Sequence, residues 1–382
     1  MERLDNILLN RDWQALKELE WGNKKTLRLL MNKLYLKDGQ LFWPRVEALG
    51  IAAAFEEKHK KDASVELVRR YFWSLNEESG GNAWNAAEAI GSIMAYNPKE
   101  CGHFNWMYAN LLDDENLQAG VLWGLLNLAI NAPEIVEPLW EKVRPFLEAE
   151  NPDLRGLAVW IVTLMKDYPA KKESWEIEAR LATRLAQDKS LAEIYLEGKY
   201  YQFPIAELLK KEVLAFSTRK FKQGDFIWEV TTATSPKGLC WVGLGLGAKN
   251  EAELRKWAQK HGSQALILPR DLPNQNVMNQ LAEYFNGSRK EFTLTLNPRG
   301  TDFQLKVWEE LRQIPYGETR SYSEIAKRIG NPKGQRAVGM ANNKNPIGII
   351  IPCHRVVGKN GDLVGYAGGL EYKERLLALE AL

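Results

Sequence analysis

The sequence predicts a multidomain protein: an all-α solenoid in the first half, then a small α/β domain, then a mainly helical domain. Three observations predict this. A helical motif recurs on the prolines Pro98, Pro133 and Pro169, spaced 35 and 36 residues apart. After about Tyr201 the apolar residues change from helical spacing to alternation. Beyond residue 300, short helical stretches are broken by Gly/Asn/Pro turns.

Each repeat carries an apolar stretch before its proline: Ile90, Ile93 and Met94, then Leu125, Leu128 and Ala129, then Ile161, Leu164 and Met165. The spacing i, i+3, i+4 marks one buried helix face. A tryptophan follows each proline (Trp106, Trp140, Trp175) and leads into a second helix and a polar turn. Helix pairs at a period near 35 read as a HEAT-like α-solenoid over residues 1–200. Residues 41–73 read as an earlier, less regular repeat, and residues 1–40 as a cap. The tryptophans read as packing between adjacent helices rather than as base-stacking platforms.

The chain has 382 residues, 45% hydrophobic and 26% charged, which is ordinary globular composition. Its net charge of +2 conceals an asymmetry: −6 over residues 1–200 and +8 over residues 201–382. The basic half suits a polyanion; the acidic half on average does not. The three cysteines, Cys101, Cys240 and Cys353, form no CxxC and imply a reducing compartment. The charged N-terminus is no signal peptide, and the apolar run Gly120–Ile130 is too short to span a bilayer. A cytoplasmic protein without a membrane partner is expected. Cys101-x-His103 offers only two ligands where a structural zinc wants four, so no metal and no cofactor is expected.

Residues 201–224 read as a linker. A helix from Pro204 to Phe216 has its proline where a missing N–H does no harm, and Thr218–Lys222 is a basic link. Residues 225–298 read as the small α/β domain. Residues 227–233 and 239–244 flank the turn Ser235-Pro236-Lys237-Gly238 as a β-hairpin. Further strands are expected at 265–268 and 292–296, with helices near 250–261 and 274–286. Gly243-Leu244-Gly245-Leu246-Gly247 lacks GxGxxG spacing and reads as a strand edge. Cys240 reads as a core thiol.

Residues 299–382 read as a helix-turn-helix DNA-binding and active-site domain. Helices are expected over 301–314, over 322–329 after a Ser321 cap, and over 333–343 after the breaker Gly330-Asn331-Pro332. The apolar run 347–351 then ends in Pro352-Cys353-His354-Arg355. A nucleophilic thiol needs a base or a positive neighbourhood to reach thiolate, and His354 supplies a base.

Pro352-Cys353-His354-Arg355-Val356, with Asn345 eight residues upstream of Cys353, resembles the active-site segment of the O6-alkylguanine-DNA alkyltransferases. Residues 300–308, Ile314–Thr319, Ser321-Tyr322, Gly330–Pro332, Arg336–Gly339 and Gly365–Gly369 fall in that family's order and spacing; residues 1–200 lie outside the resemblance. The resemblance implies a ribonuclease H-like α/β domain and a winged-helix domain. It implies that Cys353 takes an alkyl group from O6 of guanine, with O4-alkylthymine a further candidate substrate. His354 would take the thiol proton through a water, Glu380 would orient His354, and Asn345 would hold the turn presenting the cysteine.

The implied partner is alkylated double-stranded DNA, entered through the minor groove, with the target nucleotide flipped out. Arg336 would fill the vacated space. Tyr322, beside Ser321, would push the phosphate and hydrogen-bond the purine. Ala337, Gly339 and Ala341 would keep that helix flank small. Pro352, Val356, Tyr366, Ala367, Gly368 and Gly348 would line the pocket, and the small Gly348 and Ala367 predict room for alkyl groups larger than methyl. The thioether product has no easy hydrolytic route, so each molecule should act once. Two other readings remain open: a non-catalytic damage binder, which the presence of Cys353 disfavours, and an alkyl-base glycosylase in the solenoid, near Lys24, Lys25, Arg28 and Lys33. A scaffold for an unidentified protein partner is the preferred role for residues 1–200.

Overall fold

The computed structural model describes residues 2–19, 25–34, 39–75, 85–169, 175–245, 247–262, 265–366 and 368–381. The chain divides into two compact units, Met1–Lys211 and Glu212–Leu382. Lys24, Leu246 and Ala367 lie outside the described residues.

The first unit is built on four long helices: α1 (Phe42–Glu57), α2 (Ala86–Tyr96), α3 (Gln118–Asn131) and α4 (Pro152–Lys166). They pack in chain order, α2 between α1 and α3, and α3 between α2 and α4. Close approach needs small residues: a Cβ on Gly91 or Gly124 would collide with the other glycine's Cα and with the Tyr108 hydroxyl. That hydroxyl donates to the carbonyls of Ala87 (2.9 Å) and Gly120 (3.2 Å). Pro98 and Pro133 each open a short helix at its first residue. The segments that follow are broken into short α and 3-10 turns rather than the single second helices expected; after Pro133, Pro138 and Pro145 interrupt the ladder. Trp175 is fully buried and lies 5.4 Å from Trp140, as packing residues do. Trp106 departs from that reading and is 48% exposed.

The unit ends in a hairpin, β1 (Leu191–Leu196) and β2 (Lys199–Pro204), inside and just beyond the stretch expected to be helical. Its turn, Glu197-Gly198, holds positive φ at both residues (49° and 82°), the backbone a two-residue hairpin turn requires.

The second unit opens on a four-stranded sheet of order β5-β4-β3-β6: β3 (Val213–Gln223), β4 (Phe226–Ser235), β5 (Gly238–Leu244) and, after helix α5 (Gly247–Gly262), β6 (Leu266–Pro269). The β3–β4 and β4–β5 pairs are antiparallel, and β3–β6 is parallel. The linker expected over 201–224 is therefore corrected. Pro204 ends β2, only Ile205–Leu208 is helical, and the basic link lies within β3. The start of β3 is buried between β4 and β6, so Val213-Leu214-Ala215 reads as a continuous apolar run that mimics a helix. Its basic residues follow Phe216, where the pairing with β6 ends. Residues 292–296 contribute only a bridge between Leu296 and Leu239 rather than a strand.

Helix α6 (Gln275–Phe285) leads to α7 (Asp302–Arg312), α8 (Tyr322–Arg328), α9 (Gln335–Asn343) and α10 (Leu370–Glu380). Thr301 and Ser321 close capping boxes with Gln304 and Glu324 at the starts of α7 and α8. One core joins sheet and helices: Trp228, Val230, Tyr284 and Phe285 pack with Val307, Trp308, Leu311, Ile351 and Leu376. Residues 225–298 and 299–382, expected as separate domains, are thus parts of one compact unit. A second cluster, with Cys240, Trp241, Leu254 and Ala258, packs α5 on the sheet. Among the described residues no helix is long and apolar enough to cross a membrane.

Candidate active site

The apolar run 347–351 is bent into tight turns by one polar side chain. Asn345 donates from Nδ2 to the Ile351 carbonyl (2.8 Å), and its Oδ1 accepts from the Ile347 amide (3.0 Å). Ile349 sits at φ 70°, unusual for a β-branched residue and a local strain that this frame holds. The Val242 amide on β5 donates to the Pro346 carbonyl (2.8 Å), tying the loop to the sheet. Cys353 then opens the 3-10 turn Cys353–Arg355, and Asn342 of α9 donates to its carbonyl (3.3 Å).

Behind Cys353 lies a buried polar cluster. His354 and Glu380 are 0% and 4% exposed, and His354 Nε2 lies 2.8 Å from Glu380 Oε1. Arg355 grips both carboxylate oxygens, Nε to Oε2 (2.8 Å) and Nη2 to Oε1 (2.9 Å), and donates to the Ile314 carbonyl (2.6 Å). The Tyr284 hydroxyl donates to Oε1 (2.6 Å), and the Gly317 amide to Oε2 (3.3 Å). Gly317 needs its positive φ of 77° to turn there. His354 Nδ1 is buried and has no hydrogen-bond partner among the described residues.

The electrostatics follow from burial and neighbours. Burial opposes the charged carboxylate, yet hydrogen bonds and charge from His354 and Arg355 hold Glu380 far below the usual carboxylate range. Burial pushes His354 down, more than Glu380 can offset, so its imidazole rests neutral. Burial raises the Cys353 thiol; hydrogen bonds from Asn345 and Tyr366 and the charge of Lys373 work against that rise.

The structure brings Cys353, His354, Asn345 and Glu380 together through the turn and the end of α10. Pro352 and Val356 are buried beside Cys353 in the chain. Tyr322 and Tyr366 are half-buried; the Tyr322 hydroxyl donates to the Val364 carbonyl (3.3 Å), and burial with Cys353 nearby raises its pKa. A Cβ on Gly348 would meet the Tyr366 hydroxyl at 3.8 Å, and one on Gly368 would meet that ring at 3.0 Å. Arg336 and Met340, one turn apart on α9, are exposed, whereas Ala337 and Gly339 are half-buried and Gly339 faces the Tyr322 ring. Ser321 is half-buried and committed to its helix cap.

Sequence reasoning missed Lys373, Tyr284 and Asn342, and it placed Arg355 beside Cys353 without its grip on Glu380. Lys373 is fully buried, with Nζ donating to the carbonyls of Val356 (2.6 Å) and Val364 (3.1 Å). A signal existed: Lys373 and Glu380 are seven residues apart, hence on one face of α10, among the buried Leu376 and Leu379. For Tyr284 there was none, because it occupies an apolar position that a phenylalanine would fill equally well.

The family model described as "6-O-methylguanine DNA methyltransferase, DNA binding domain" matches residues 302–382. A methylated-DNA–protein-cysteine methyltransferase of Methanosarcina barkeri is 51% identical over 144 residues, covering 36% of this chain and 91% of that protein. The inducible one of Bacillus subtilis is 43% identical over 172 residues, covering 44% of this chain and 92% of that protein. For that of Methanosarcina acetivorans, 64% identical over 101 residues, the match spans 26% of this chain and 65% of the relative. By this turn and these relatives, the chain belongs to the methylated-DNA–protein-cysteine methyltransferase family.

Proposed function

We infer that this protein repairs DNA by direct reversal, moving the alkyl group of O6-alkylguanine irreversibly onto Cys353. One observation carries the reading: a buried His354, anchored to Glu380 through Nε2 and with no partner at Nδ1 among the described residues, adjoins a buried cysteine. An oriented base beside a nucleophile is the logic of activated-nucleophile catalysis. His354 Nδ1 takes the thiol proton through a water, and Sγ attacks the alkyl carbon in line with O6. The carbon–sulfur bond forms as the carbon–oxygen bond breaks, and its electron pair stays on the purine. Tyr322 gives its hydroxyl proton to the purine so that it leaves neutral, and the proton taken by His354 returns to the tyrosine through solvent. Asn345 keeps the turn in shape.

DNA is the partner, and the minor groove is the proposed route. Arg336, exposed on α9, is free to enter the stack, while Ala337 and Gly339 leave the flank narrow. Ser321 sits beside Tyr322 at the phosphate. Pro352, Val356, Tyr366, Gly348 and Gly368 line the alkyl pocket. We read the sheet as ribonuclease H-like and α8–α9 as the helix-turn-helix of a winged-helix domain. The first unit we read as a HEAT-like interaction scaffold, supported by the chain-order packing of α1–α4.

Incubation with a duplex carrying one O6-methylguanine tests the reaction. Lesion loss should stop at one per protein chain. Turnover beyond that, or binding without loss, contradicts it. Protein truncated at Glu212 should repair naked DNA as fast as the full chain; a large fall would give the first unit a part in repair itself.

A further inference from the structure

Glu380 is held by more than the histidine it orients. Its Oε1 accepts from three donors: His354 Nε2 (2.8 Å), Arg355 Nη2 (2.9 Å) and the Tyr284 hydroxyl (2.6 Å). Tyr284 stands on α6 and is fully buried, so water does not replace its hydroxyl. It packs edge-on against Phe285 (5.5 Å) and near Phe292 (5.4 Å), which fix the ring. The other groups facing this centre are Tyr316, whose hydroxyl donates to the Leu379 carbonyl (3.1 Å) and not to the carboxylate, together with Tyr366 and Lys373.

We propose that Tyr284 is a positioning residue which, by donating to Glu380, limits that carboxylate's pull on the His354 proton and sets the pH at which the His354–Cys353 pair becomes competent. The inference rests on the alkyl-transfer reading above. The donated hydrogen bond spreads the negative charge of Oε1 and makes it a weaker acceptor for His354. A weaker acceptor stabilises the imidazolium less, so His354 stays a neutral base to lower pH. Burial drives His354 the same way, and Tyr284 works with it. No group other than Tyr284, Arg355, His354 and the Gly317 amide is found donating to this carboxylate among the described residues.

The test is the pH profile of the methyl-transfer rate constant on O6-methylguanine duplex, for the full chain and for Tyr284→Phe, with Tyr316→Phe as control. In Tyr284→Phe the rising limb should move up by roughly half to one pH unit. The rate should fall several-fold at pH 6 and converge with wild type at high pH, with affinity for unmodified DNA unchanged. Difluorotyrosine placed at position 284, a stronger donor of the same shape, should move the limb down, and it keeps the question measurable should Tyr284→Phe not fold. An unmoved limb, or a uniform fall at every pH, overturns the positioning role while leaving alkyl transfer intact. No transfer by the wild type overturns the alkyl-transfer reading and the inference with it.

Discussion

Two thiols of the second unit are both buried, and only one is placed to react. Cys240 lies in the sheet core beneath α5, its Sγ 3.1 Å from the Ala233 carbonyl, and burial pushes it up to about 12. Cys353 is raised by burial too, but Asn345, Tyr366 and Lys373 oppose the rise, and a neutral imidazole with one open nitrogen is its chain neighbour. Cys101 of the first unit sides with Cys240, pushed up to about 11. Burial alone makes an inert thiol; what surrounds Cys353 lets it lose a proton at the moment of attack while resting protected as the thiol.

The comparison breaks most sharply at the sulfur. Cys353→Ala should abolish methyl transfer, while Cys240→Ala should leave its rate within about twofold, as a conservative core change does; repair assays on both decide it. His354→Asn should lower the rate constant by roughly 10²–10⁴, the usual contribution of a general base. A loss under tenfold would mean that solvent suffices as base. Lys373→Met removes a cation that favours the thiolate and should slow transfer several-fold at pH 7. An unchanged rate would make Lys373 a tie between two carbonyls and nothing more.

Smaller effects separate the cluster's role in stability. His354 is depressed when folded, so below about pH 6.5 the unfolded chain binds a proton that the folded one does not. Glu380 is depressed as well, so its stabilisation is full above about pH 4.3 and is lost as pH falls further. Thermal unfolding of the second unit should therefore drop by about 2–4 °C between pH 7 and 5, and again on further acidification. In His354→Asn the first step should vanish; its persistence would assign it to other groups. The smallest effect concerns the pocket: with glycine at 348, benzyl transfer should run within several-fold of methyl transfer or faster, and no benzyl transfer would mean a closed pocket.

Much of this was legible in the sequence. Thr301 and Ser321 announced their capping boxes, Ser235–Gly238 its hairpin, and Pro352-Cys353-His354-Arg355 the reactive turn. The failures have physical causes. The start of β3 is buried on both faces and loses its alternation, so its sequence resembles a buried helix. The Glu197-Gly198 hairpin was swallowed by the helical repeat before it. Tyr284 and Lys373 reach the site from α6 and from one face of α10, and only the fold joins those surfaces.

The most direct test of the central claim is peptide mass spectrometry after mixing the protein with O6-methylguanine duplex. The account predicts one methyl per chain, on the peptide containing Cys353 and on neither of the other cysteine peptides, and none in Cys353→Ala. Damaged DNA bound with Cys353 unmodified, or methyl found on another residue, would contradict it.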